Sequence, residues 1–157
     1  MIRSFVDRME TGQLQAAMGV GAADIAELVP DVFRVLPALE PAPVLEPEAA
    51  RFRLFDSITR FFKNSGRSQP LVLVLDDIHW ADEPSLQLLQ FLARELEDSN
   101  LMVVGCYRDV ELSRQHPLSQ TLAQLSRESV YQRHLLRGLD REATSEYIDA
   151  AAGTNVS

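Results

Sequence analysis

Cysteine is nearly missing from this sequence. Cys106 stands alone, so no internal disulfide can form and a metal site of the Cys-x2-Cys type is excluded. Lysine is as scarce: Lys63 is the only one among 15 basic residues, and the arginines are scattered rather than gathered into a stripe. With a net charge of −8 and a pI near 4.8, the chain lacks the basic footprint of a nucleic-acid binder. If it belongs to a gene regulator, the DNA contacts lie on sequence outside it. No apolar run approaches the ~20 residues that span a bilayer. The opening MIRSFVDRMETGQ holds no apolar stretch long enough for a secretory signal. These absences point to a cytoplasmic protein that makes no membrane contact.

What is present suits one ordinary domain. The 157 residues are 46% hydrophobic and 24% charged, a balance that can bury a single core. Residues 1–36 read as short helices broken by Gly19, Gly21 and Pro30. Pro37, Pro41, Pro43 and Pro47 then punctuate a linker, because fixed φ and missing N–H groups disfavour helix and central strand alike. From Glu48 the pattern changes. Phe52, Phe55, Ile58, Phe61 and Phe62 recur at steps of three and four, a helix with an aromatic stripe that ends near Gly66. The stripe is expected to pack on a sheet.

Leu71-Val72-Leu73-Val74-Leu75 is a continuous apolar run bounded by Pro70 and by charge, the pattern of a strand buried on both faces. Glu83–Glu97 predicts a helix with Leu86, Leu89, Leu92 and Leu96 on one face, Pro84 in its first turn and Asp82 as its N-cap. Residues 101–107 predict a second buried strand, 117–128 a helix, Val130–Leu136 a third strand and Asp140–Ala152 a last helix. Strands alternating with helices spell parallel connections, so the expected class is α/β. Cys106, on a buried strand, should behave as a small hydrophobe, and Trp80 should anchor packing.

In an open parallel sheet, ligands sit beyond the carboxyl ends of the strands. Here the first strand runs into Asp76-Asp77 and the second into Tyr107-Arg108-Asp109. Adjacent strands lie roughly 4.8 Å apart, so these end groups can face one small anionic ligand. One carboxylate can hold a hydrated Mg2+, a second can orient or deprotonate a water, and an arginine can bind a terminal phosphate.

LVLVLDDIHWADEPSLQLLQFLARE (71–95), followed by LMVVGCYRDVELSRQHPLSQTLAQL (101–125), resembles the AAA-type P-loop ATPase modules of the STAND class. Those modules occur in large LuxR-type transcriptional regulators and in signalling proteins fused to nucleotide cyclase or kinase domains. The resemblance implies that Asp76 ends a Walker B strand and holds Mg2+, that Asp77 primes water, and that Arg108 is a sensor of the γ-phosphate of ATP. It implies a partial three-layer sandwich of the P-loop type: a helical segment and Pro-rich linker over 1–47, an ATPase core over 48–138, and the start of a helical lid over 139–157. The partners implied are a nucleotide and the lid and output domains of a parent protein. His79 and Trp80 match the family's run after Walker B. His79 reads as a loop hydrogen-bonder rather than a metal ligand.

The phosphate cradle G-x-x-x-x-G-K-[ST] does not occur, since Lys63 is the sole lysine and sits in Phe-Lys-Asn-Ser-Gly. Without it nothing supplies the nest of backbone N–H groups for the β- and γ-phosphates. Truncation within the domain is the expected cause, and the chain alone is expected to lack appreciable ATPase activity. With the usual strand order of the class, 5-1-4-3-2, the third strand would also lack its neighbour, leaving a chain of marginal stability that tends to aggregate. Two other readings stay open. One is a partner-binding scaffold, and the other is a metal-dependent hydrolase built on Asp76, Asp77, His79 and Asp82.

Overall fold

The computed structural model describes residues 2–152. Met1 and residues 153–157, the far ends of the first and last expected segments, lie outside the described residues. The chain begins with four short helices, α1 (Ile2–Val6), α2 (Thr11–Met18), α3 (Ala22–Leu28) and α4 (Asp31–Val35). Their breaks fall where the sequence puts them. Gly19 adopts φ 52°, which L-residues with side chains rarely take, and it stops α2. Gly21 lies so close to the next long helix that an added Cβ would stand 2.6 Å from Ser57 Cβ.

That long helix, α5 (Pro47–Ser68), is the spine of the molecule. Pro47 occupies its first turn, where a missing N–H costs little. Its aromatic stripe splits in two. Phe61 and Phe62 are fully buried among Leu14, Met18, Ile25 and Val32 of the N-terminal helices. Phe52 and Phe55 instead meet the ring of Phe91 edge-on, at 5.4 and 6.0 Å between centroids. One core thus joins the N-terminal helices, α5 and the sheet. The carboxylate of Asp24, buried on α3, clamps this joint by accepting from Arg53 Nε at 2.6 Å and Ser57 Oγ at 2.9 Å.

The sheet consists of β1 (Leu71–Leu75) and β2 (Leu101–Gly105), parallel and in register Leu71↔Leu101 to Leu75↔Gly105. The connection runs through α6 (Glu83–Arg94), and β2 is followed by α7 (Pro117–Leu125). Leu73 and Leu101 are buried in the core, and Leu71 and Val103 pack against it. The opposite face corrects an expectation. Val72, Val74 and Met102 are more than half exposed, so the strands are buried on one face and not two. Period-two alternation turns every second residue away from the helices, and among the described residues no second layer covers that side.

The third expected strand is a further correction. Residues 130–140 have no regular secondary structure. A strand exists only through its ladder, and this segment finds side-chain partners instead: Arg133 reaches Asp109 Oδ1 at 2.6 Å and lies over the Tyr107 ring at 5.8 Å. The described sheet therefore has two strands and one helical layer, a mixed α/β arrangement short of the expected three-layer sandwich. Cys106 and Trp80 are exposed, against the expectation that the first is buried and the second an anchor. Cys106 continues the alternation of Met102 and Val104 and so lies on the uncovered side of the sheet. The final helix, α8 (Arg141–Ala152), buries no residue.

Candidate functional site

The carboxyl ends of β1 and β2 carry the candidate site, and a short extension of the ladder shapes it. Cys106 N–H donates to Leu75 O at 2.8 Å and Ile78 N–H donates to Cys106 O at 3.0 Å. Asp76 and Asp77 are thereby looped out between two paired positions and exposed. Asp77 sits in the left-handed region with φ 51° and ψ 41°, and its N–H donates to Asp76 Oδ1 at 3.1 Å. Aspartate tolerates this conformation better than most residues because its short polar side chain bonds locally. Ile78–Trp80 then form one 3-10 turn. Ile78 belongs to a small second core with Leu86 and Leu118, against which Leu75, Tyr107 and Leu112 pack, so the loop rests on an apolar floor.

Asp82 performs the capping role read from sequence. Its Oδ1 accepts from Ser85 N–H at 2.9 Å at the start of α6. Hydrogen bonding from Ser85, side chain and backbone, holds its carboxyl below the usual value. His116 caps α7 through Nδ1, which accepts from Leu118 N–H at 3.1 Å.

Arg108 follows β2 and is exposed. It pairs with Glu111, Nη1 to Oε1 at 3.3 Å, across a single 3-10 turn. Glu111 was not singled out in the sequence. Nothing about a lone glutamate in RDVEL marks it, and only the turn brings it under the site. Between the acidic loop and this turn lies the ring of His79, with its side chain 2% exposed. Nδ1 is 3.8 Å from Asp77 Oδ1 and Nε2 is 3.1 Å from Glu111 Oε2. Neither nitrogen meets hydrogen-bond geometry with any neighbour, so these are close polar approaches and not formed bonds. The structure thus sets His79 between Asp77 and the Arg108–Glu111 ion pair.

The residues fit a hydrated Mg2+ better than a transition metal. Two adjacent exposed carboxylates suffice for an ion that keeps most of its waters. The four-residue hydrolase site finds no support: Asp82 is engaged in its cap, His79 is buried toward Glu111, and among the described residues no three potential ligands converge.

The acidic loop beyond one parallel strand and the arginine beyond the next lie where open α/β sheets place their ligands. The chain belongs to the AAA ATPase domain family, whose profile matches residues 3–104. The matched span contains Asp76, Asp77 and His79 and stops short of Arg108 and Glu111. No curated protein and no solved structure shows a significant match. Among the described residues, no helix is long and apolar enough to cross a membrane.

Proposed function

We propose that this chain is part of an ATP-dependent switch of the STAND class within a multidomain regulator or signalling protein. The observation that carries the reading is the placement of exposed Asp76-Asp77 after β1 and of Arg108 after the neighbouring parallel strand β2. Asp76 would hold Mg2+ through its water shell, and Asp77 would orient the attacking water and take its proton. Arg108 would leave Glu111 to meet the terminal phosphate. Mg2+ supplies charge neutralisation on the phosphates. Residues 1–47 would brace the core over 48–138, and 139–157 would open a helical lid that relays the nucleotide state to output domains.

Because the sequence contains no G-x-x-x-x-G-K-[ST] loop, weak nucleotide affinity and no appreciable ATPase activity are expected of this chain alone. Titration calorimetry with ATP and Mg2+ tests this on the chain and on a version carrying such a loop upstream. Binding by the second version only, weakened by Asp76→Ala, supports the switch. Failure of both to bind overturns it. It would favour the partner-binding scaffold, a reading supported by the uncovered face of Val72, Val74 and Met102.

A further inference from the structure

His79 is a buried polar side chain with no part in the reaction outlined above. Its backbone is fixed by neighbours: Ile78 N–H is held by Cys106 O, and Ala81 N–H donates to Ile78 O at 3.2 Å. Its ring has no contact with solvent at either nitrogen and no hydrogen bond to the loop backbone. A polar ring kept in that state costs free energy unless its nitrogens are turned to use. The two groups that face them come from different segments, Asp77 before the ring and Glu111 after β2. Glu111 in turn touches Arg108 with its other oxygen.

We propose that His79 is a positioning residue that fixes the Arg108–Glu111 turn relative to Asp77. The proposal rests on the reading of Asp77 and Arg108 as nucleotide-site residues. The Arg108–Glu111 pair alone is a solvent-exposed ion pair, and such pairs hold geometry weakly. The approach of a buried imidazole to Glu111 is different, since polar interactions strengthen where water is excluded. The 3.1 Å approach of Nε2 to Glu111 Oε2 points an N–H at that carboxylate, while Nδ1, 3.8 Å from Asp77 Oδ1, makes no bond. With that N–H bonded to Glu111, the turn after β2 moves with the loop after β1 rather than independently.

Imidazole nitrogen spectra of the 15N-labelled chain read the tautomer directly. The expected result is an Nε2–H ring whose Nε2 resonance shifts in Glu111→Gln. Amide hydrogen exchange at positions 111 and 112, whose N–H groups donate to Arg108 O and Asp109 O, should accelerate about tenfold in Glu111→Ala and His79→Ala. His79→Gln, which keeps an N–H group reaching toward Glu111, should restore most of the protection. A ring without an N–H at Nε2 in the unaltered chain, or unchanged exchange in Glu111→Ala, overturns the proposal. Glu111 is partly exposed, so its variant still decides the matter if His79→Ala fails to fold. Line broadening at Asp76 on adding Mn2+ is a separate readout. Its absence beside an intact His79–Glu111 coupling counts against the nucleotide-site reading and not against the coupling.

Discussion

Replacing Asp24 by alanine tests how firmly the N-terminal helices are built into the core. The carboxylate is buried, with Ser57 Oγ at 2.9 Å and Arg53 Nε at 2.6 Å. Alanine leaves the buried Ser57 hydroxyl without its acceptor, a loss of about 1.5–3 kcal/mol for a bond to a charged group. Arg53 is about a quarter exposed and also donates to Pro43 O at 2.9 Å, so it can rehydrate in part. Its lost contact adds about 1 kcal/mol. The sum is near 3 kcal/mol. With a urea m-value of ~2 kcal/mol per M, the unfolding midpoint should fall by ~1.5 M at unchanged slope. Far-UV circular dichroism is the probe of choice, because Trp80 is 79% exposed and reports poorly on the core. Asp24→Asn retains an acceptor for Ser57 and should cost about 1 kcal/mol. A midpoint for Asp24→Ala within ~0.3 M of the unaltered chain would refute this account. It would mean that α3 is held to α5 by apolar packing alone.

Two further outcomes are expected. The Asp82 carboxyl is held below its ordinary value of 3.8 by Ser85, so its extra stabilisation of α6 is present above that pH. It disappears as pH falls through the lower folded-state value. Asp82→Asn keeps a capping oxygen without the charge. Its melting temperature should therefore lie below that of the unaltered chain near neutrality and converge with it in acid, which a pH series of thermal melts will check. Val72→Thr together with Val74→Thr removes apolar surface from the uncovered sheet face while keeping β-branched side chains. Light scattering should show less self-association at equal concentration, with little change in the thermal midpoint. Unchanged scattering would place the sticky surface elsewhere.

The parts of the fold legible in the sequence are those fixed by local chemistry. β1 and β2 follow from short apolar runs, α6 from its leucine period with Asp82 ahead of it, and the N-terminal breaks from Gly19, Gly21 and Pro30. What was not legible depends on neighbours distant along the chain. A run such as Val72-Leu73-Val74 reads as doubly buried, yet only the second layer of a sandwich can bury its outer face. Residues 130–136 have the composition of a strand and no ladder to join. Trp80 reads as an anchor because tryptophan usually is one, but its 3-10 turn directs the ring outward. At the site, Asp76, Asp77 and Arg108 stand at strand ends as anticipated. Glu111 escaped notice because its importance comes from one turn of backbone after Arg108 and from the burial of His79 above it.

The left-handed backbone at Asp77 limits which variants can speak about its carboxylate. Asparagine is at home at φ 51° and changes only charge and proton affinity. Glutamate keeps the acid but brings a longer side chain to a conformation costing roughly 1–2 kcal/mol, so its failure would mix backbone rearrangement with misplaced chemistry. Alanine removes the carboxylate and adds the same strain. Only glycine separates the two effects from the other side, by relieving the conformation while deleting the group. An Asn and Gly pair at position 77 therefore separates acid from architecture, and a conventional alanine scan would blur them.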